Sequence, residues 1–153
     1  MQASKGLKEL FSKMWQDYCA MNPQAQAVYD SLTKTGEKVI NDHIAFRTFS
    51  LPQISVDVLA KTFLKHGYKL AGEYKFKEKK LNAKHFEHSD DEMPKVFISE
   101  LDLELCSPFL RQTAQSVVRG LEPEQILAEK FIFSGRPWQA SHETYKKLNA
   151  ESE

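Results

Sequence analysis

The chain has little of several features that mark common functional classes. It carries two cysteines, Cys19 and Cys106, which lie far apart and form no CxxC pair, so a disulfide-dense scaffold and a cysteine-based structural zinc site are excluded. No run of 18 apolar residues is present, and the N-terminus lacks the apolar core of a signal peptide. We therefore expect a cytoplasmic protein with reduced thiols.

Net charge is also absent, because Lys plus Arg and Asp plus Glu each number 21. This balance gives no overall attraction to nucleic acid or to an anionic membrane, and we expect neither as a partner. A basic run with interleaved aromatic residues lies at 75–80, but a hairpin with one solvated charged face explains it better than nucleic-acid binding. The GxSxG motif of serine hydrolases and glycine-rich phosphate loops are missing as well.

Helical periodicity is present near the N-terminus. Apolar residues recur at helical spacing over 4–20, and Ser4 can cap the start of this helix. A second helix is predicted to begin at Pro23 and to end near Gly36. Its inward-facing residues are expected to be Val28, Tyr29 and Leu32.

The middle of the chain is predicted to form a strand, a helix and three further strands. The strand that contains His43 ends before Pro52, and Ser55 caps a helix that ends at Gly67. Turn residues then separate three predicted strands, at 68–75, 81–88 and 95–101.

The pattern becomes helical again beyond residue 107, with predicted helix starts at Ser107, Pro123 and Ser141. The last helix reaches the acidic end of the chain without a glycine stop, so we expect the chain to be the first half of a two-module protein. We predict a single α+β domain over 1–153. Its parts are N-terminal helices at 4–36, a βαβββ module at 38–101 and a helical C-terminal segment at 107–153.

The strand that contains His43 carries the first candidate site. Its alternation puts four residues on one face: His43, Ala45, Arg47 and Phe49. His43 can donate an imidazole nitrogen to a divalent metal, and Arg47, about 13 Å further along an extended backbone, presents a fork suited to a carboxylate. Ile44 and Phe46 are then expected to pack into the core. A core histidine and a surface ion pair would explain the same spacing.

A second group of candidate ligands lies further along the chain. His85 and Glu87 share a face of their predicted strand, and His88 points away. If that strand paired beside the strand of His43, His85 or Glu87 could complete a set of two histidines and one carboxylate, which is a ligand type for iron. Solvated strand-end residues are the alternative. Glu100 could bind substrate, support a ligand by a hydrogen bond, or form a cap or salt bridge.

Three stretches carry a more specific signal, namely DHIAFRTF at 42–49, HFEH at 85–88 and PKVFISEL at 94–101. The first of these stretches, at 42–49, is long and has an unusual sequence. Together they resemble the 2-oxoadipate dioxygenase/decarboxylase family, also called hydroxyglutarate synthases, and the resemblance extends through 137–145 to the end of the chain. It implies a fold of the vicinal oxygen chelate type, in which paired βαβββ modules form a curved mixed or antiparallel sheet around a metal.

The resemblance also implies a function. Family members use Fe(II) and dioxygen to convert 2-oxoadipate into D-2-hydroxyglutarate and carbon dioxide, a step in lysine breakdown. His43 matches the first metal ligand, and Arg47 matches the arginine that clamps a substrate carboxylate, so both are expected to contact a small 2-oxo dicarboxylic acid. No role follows for His85, His88 or Glu100.

The family's other iron ligands come from a second, C-terminal module. The resemblance therefore implies a missing module or a second copy of this chain as partner, unless His85 and Glu87 act as ligands instead. Two further functions stay open. One is a catalytically silent binding module of the same fold, and the other is a metal-dependent isomerase, lyase or hydrolase, because the fold does not determine the reaction.

Overall fold

The computed structural model describes residues 2–135 and 137–151, so the last two residues, part of the acidic chain end discussed above, lie outside it. The described helices are α1 (Lys5–Met21), α2 (Pro23–Lys34), α3 (Val56–Lys65), α4 (Pro108–Arg119), α5 (Pro123–Leu127) and α6 (His142–Asn149). The described strands are β1 (His43–Phe49), β2 (Lys69–Phe76), β3 (Leu81–Glu87) and β4 (Lys95–Leu101). Short 3₁₀ segments occupy Leu103–Leu105 and Glu129–Phe133. The predicted order of helices, βαβββ and helices is confirmed.

Serine and proline start the helices where the sequence predicts. The Ser4 hydroxyl accepts a hydrogen bond from the backbone N–H of Leu7 at 3.2 Å, and Ser141 accepts one from Thr144 at 3.0 Å. Pro23 occupies the start of α2. These residues satisfy or remove backbone donors that the first turn of a helix leaves unpaired.

The start of α3 differs from the prediction. Ser55 precedes the helix, but its side chain makes no capping hydrogen bond. Instead, the backbone N–H of Val56 donates to the Glu100 carboxylate at 2.8 Å. A carboxylate is favourable there because the first N–H groups of a helix carry partial positive charge. Of the roles open to Glu100, the structure therefore shows the cap.

The four strands form one mixed sheet in the order β1-β4-β3-β2. β1 pairs with β4 in parallel, and the other two pairings are antiparallel. Since β4 lies between β1 and β3, the strand of His85 is not the neighbour of the strand of His43.

One face of the sheet packs against α1 and α3. Phe63 of α3 is fully buried, and Val96 and Ile98 of β4 are buried in the same cluster. The Phe63 ring centroid lies 5.5–6.4 Å from the rings of Phe11, Phe46 and Tyr68. This aromatic cluster joins both helices to the strand that carries the candidate site.

α2 is less buried than the sequence predicts. Val28 is 59% exposed and Leu32 is 41% exposed, so the inward orientation predicted for them is wrong. Tyr29 does contact α1, since its ring lies 5.6 Å from that of Trp15. The helical spacing identified an apolar stripe, but in the described chain α2 packs mainly on α1 and leaves part of this stripe uncovered.

We predict that Phe63→Ala lowers the free energy of unfolding by about 3–5 kcal/mol, because it leaves a cavity among three aromatic rings. Urea denaturation measures this loss. Leu64→Ala is the matched control, since Leu64 is the next helix residue and is 46% exposed. A similar loss in both variants would contradict the central position of Phe63.

The end of the described chain is attached to α4. The Glu151 carboxylate accepts a hydrogen bond from the backbone N–H of Ser107 at 2.6 Å and a second from the Ser107 hydroxyl. Ser107 in turn accepts from the backbone N–H of Leu110 at the start of α4. The hydrogen bonds from Ser107 lower the pKa of Glu151 because they stabilise its charged form.

This lowered pKa predicts a pH-dependent contribution to stability. The contribution is complete above the pKa of an unfolded glutamate and is lost as the pH falls through the folded pKa. Glu151→Gln should therefore be less stable than the parent near neutral pH, with the difference vanishing in acid. Urea denaturation across the pH range tests this, with the exposed turn residue Glu78→Gln as control. A pH-independent difference would refute the proposed linkage.

Candidate functional site

The sheet face opposite α3 carries the candidate site, and we call it the site face. By strand register, its residues are His43, Ala45 and Arg47 on β1, Phe97 and Ser99 on β4, Ala83 and His85 on β3, and Gly72 and Tyr74 on β2. The alternation predicted for β1 is confirmed. His43, Ala45 and Arg47 are exposed, while Ile44 and Phe46 pack against the core.

His43 stands at the first position of β1 with its side chain 61% exposed. Its Nδ1 lies 2.7 Å from a carboxylate oxygen of Asp42. A carboxylate at one ring nitrogen favours the tautomer whose lone pair is on the other, and metal-binding histidines use this arrangement. His43 also borders an apolar groove of about 600 Å³, whose walls include Phe11 of α1 and Phe133.

Arg47 is positioned by a residue of the neighbouring strand. Its Nη1 donates to the Ser99 hydroxyl at 3.2 Å, and Ser99 stands opposite Arg47 in the parallel register. The Ser99 hydroxyl donates in turn to the backbone carbonyl of Phe46 at 3.4 Å. Ser99 is only 2% exposed, so a buried neutral group holds the guanidinium without neutralising its charge.

Arg47 lines a groove of about 430 Å³ at the Phe49 end of β1. Its other lining residues are Thr48, Phe49, Lys79, Leu81, Ser99, Leu101 and Trp138. Two cations and no carboxylate are among these residues. Such a groove favours an anion, and a guanidinium fork fits a carboxylate in particular.

His85 is held on the other half of the site face. Its Nδ1 lies 2.9 Å from the Tyr74 hydroxyl, and its Nε2 lies 3.5 Å from Glu87. Glu87 also pairs with Lys95 at 3.1 Å, and this hydrogen-bonded ion pair lowers the pKa of Glu87 and raises that of Lys95. His88 points elsewhere and places its ring 5.2 Å from the Tyr68 ring.

The structure does not bring these candidates together around one point. Two strand spacings, about 10 Å, separate β1 from β3, so His85 and Glu87 do not adjoin His43. Among the described residues, no group of three His, Cys, Asp or Glu side chains could hold a metal ion. His43 can act as one metal ligand, but residues 2–135 and 137–151 do not provide the other ligands that a metal site needs.

Sequence reasoning missed three residues of the Arg47 groove. Ser99 follows the apolar run at 96–98 in β4, which is a usable signal, but its contact with Arg47 depends on the register of β1 and β4. Lys79 belongs to the basic run that was interpreted as a solvated hairpin face. Trp138 places its ring 5.7 Å from Phe49 and is far from it in sequence.

Comparison with known proteins decides the family. Residues 3–152 match the family model described as 2-oxoadipate dioxygenase/decarboxylase. The chain belongs to this family. Two curated members that it resembles are the Arabidopsis thaliana and Oryza sativa proteins named 2-oxoadipate dioxygenase/decarboxylase, at 32% and 29% identity over 76% of this chain. The chain spans about a third of the length of these curated relatives, 34% and 35%.

Solved structures support the same family. A Shewanella frigidimarina protein, named only as a candidate hydrolase, is 45% identical with a TM-score of 0.91, over 96% of this chain and 57% of its own. The rice hydroxyglutarate synthase, solved in complex with 2-oxoadipate, is 28% identical with a TM-score of 0.86, over 97% of this chain and 53% of its own.

The predicted fold class is confirmed. A Ralstonia eutropha protein of the glyoxalase superfamily shares the fold at 19% identity, with a TM-score of 0.68, over 95% of this chain and 56% of its own. This family member is thus an α+β chain whose βαβββ module is of the vicinal oxygen chelate type. No helix among its described residues is long and apolar enough to cross a membrane.

The position of His85 leads to a prediction about Gly72. A Cβ at Gly72 would lie 2.9 Å from two atoms of the His85 ring and 3.0 Å from the Tyr74 hydroxyl. Gly72→Ala should therefore displace His85 and break its hydrogen bond to Tyr74, with only a small loss of stability, because the atoms that must move are the ends of side chains.

Imidazole NMR shifts of His85 and urea denaturation measure both effects. Gly120→Ala is the matched control, because its new Cβ would approach no atom closer than 3.9 Å. If the imidazole chemical shifts of His85 were unchanged in Gly72→Ala, the position of the ring would not require a glycine at residue 72.

Proposed function

We propose that this chain provides the 2-oxo acid-binding part of an Fe(II)-dependent 2-oxoadipate dioxygenase/decarboxylase, which forms D-2-hydroxyglutarate and carbon dioxide in lysine breakdown. One observation carries the proposal. In a member of this family, Arg47 lines a groove without carboxylates, on the same strand face as His43.

The carboxylate of a 2-oxo acid fits the Arg47 groove. The hydrogen bond that Arg47 donates to Ser99 restricts the guanidinium, so less side-chain freedom is lost when an anion binds. The apolar rings of Phe49 and Trp138 reduce the water around the charge, which strengthens a charge-assisted hydrogen bond. Arg47 would thereby bind and orient the acid.

His43 would provide one ligand to the iron, with Asp42 positioning its ring. Bound Fe(II) would supply the dioxygen chemistry for which amino acid side chains are unsuited. Because the described residues do not complete a metal site, the remaining ligands would come from a second module or from a second copy of this chain.

Separate substitutions test the two roles. His43→Ala should abolish iron binding, whereas Arg47→Ala should retain iron and weaken 2-oxoadipate binding about tenfold or more, the loss expected for one charge-assisted contact. Iron content after anaerobic reconstitution and calorimetric titration with 2-oxoadipate are the measurements. Lys77→Ala, in the exposed turn after β2, is the control. Equal iron retention in the His43 and Arg47 variants would refute the assignment of His43.

Oxygen uptake on addition of 2-oxoadipate tests the reaction itself. Stoichiometric, His43-dependent iron with oxygen uptake would mean that the chain completes its site by pairing with a second copy. Absence of iron would mean that the chain needs a second module.

Two other functions have specific support. The lack of three clustered ligands among the described residues favours a catalytically silent module that binds a carboxylate, and such a module would bind the acid without iron. The name of the Shewanella relative favours hydrolase chemistry, which would proceed without oxygen uptake. A cytoplasmic location stays a prediction, because both curated plant relatives carry chloroplast designations in their names.

A further inference from the structure

Lys79 shares the Arg47 groove although it lies 32 residues away in sequence. It belongs to the turn between β2 and β3, where the backbone N–H of Lys80 donates to the carbonyl of Lys77 at 3.1 Å. The carbonyl of Lys80 accepts from the backbone N–H of Asp102 at 2.8 Å, just beyond β4. This second contact fixes the turn against the end of β4, so Lys79 is held at the groove rather than on a free loop.

The charge of Lys79 has no carboxylate partner among the described residues, whereas two lysines of the sheet are paired. Lys84 pairs with Asp57 at 2.7 Å, and Lys95 pairs with Glu87 at 3.1 Å. Within residues 2–135 and 137–151, neither Lys79 nor Arg47 has a carboxylate within 4.0 Å. Two unpaired cations in one partly enclosed groove produce a local positive potential that attracts an anion.

The rest of the groove suits a hydrocarbon chain. Phe49 and Trp138 form an aromatic wall, with their ring centroids 5.7 Å apart, and Leu81 and Leu101 line the groove as well. Arg47 lies about 13 Å along β1 from His43, so the groove is at the end of the site remote from His43.

We propose that Lys79 is a specificity-determining residue, which together with Arg47 binds the carboxylate remote from the keto group and so selects dicarboxylic over monocarboxylic 2-oxo acids. The inference rests on the proposed function only for the orientation of the acid, with its keto end toward His43. The methylene groups lie against Phe49 and Trp138. A monocarboxylic acid of equal length would leave both cations without a partner.

Hexanoate and hexanamide test this inference, because they share a six-carbon chain and differ in the charge of the terminal group, which stands for the remote end of the acid. Their affinities for the chain can be measured by NMR from the shift of the Trp138 indole N–H, which requires neither iron nor turnover. The parent chain should prefer hexanoate. Lys79→Met should reduce that preference about tenfold, as expected for loss of a charged contact, with hexanamide affinity unchanged.

Two variants make the result specific to Lys79. Lys79→Arg should retain the preference, and Lys77→Met, which removes a charge from the same turn outside the groove, should leave it intact. An unchanged preference in Lys79→Met, with a loss in Arg47→Met, would overturn the role of Lys79 while leaving the Arg47 clamp in place. A parent chain that shows no preference for hexanoate over hexanamide would also overturn the inference. The proposed function is tested separately, by the measurements of iron content and oxygen uptake.

Discussion

The parallel pairing of β1 with β4 is the constraint on which the candidate site depends. It places Arg47 opposite Ser99 and Thr48 opposite Glu100. A slip of one residue would exchange the faces of every β4 side chain, taking Ser99 into the core and Ile98 out of it. The position of Arg47 and the contact of Glu100 with the start of α3 therefore require the same register. Burial of Val96 and Ile98 under Phe63 stabilises that register. The packing of the core therefore also determines the geometry of the site.

Charge on the sheet is distributed in two ways. Lys84 and Lys95 are paired with carboxylates, and these pairs contribute little to stability because at least one partner of each is largely exposed to water. Arg47 instead contacts a neutral hydroxyl. A carboxylate partner from the protein would compete with an anionic ligand, whereas a serine orients the guanidinium and leaves its charge available. In this respect Arg47 differs from Lys84 and Lys95.

The proposed function divides two roles along β1. His43 at the start of the strand suits a metal ligand, and Arg47 near its end suits an organic anion. The described residues line the Arg47 groove but bring no three metal-ligating side chains together. Under the proposed function, this chain therefore binds the acid, and it provides one iron ligand while residues outside it provide the others.

Local patterns in the sequence determined most of the secondary structure. Serine caps, prolines at helix starts and alternation within strands predicted the helix starts, the face shared by His43 and Arg47 and the bounds of β4, because each depends on residues within a turn or a strand. Tertiary structure decided the order of the strands and therefore the separation of His85 from His43. The same holds for the cap that Glu100 provides, for the exposure of α2 and for Lys79 in the Arg47 groove. These features depend on which distant segments pack together. That arrangement is selected by burial of the apolar surface of the whole chain, and no local pattern contains it.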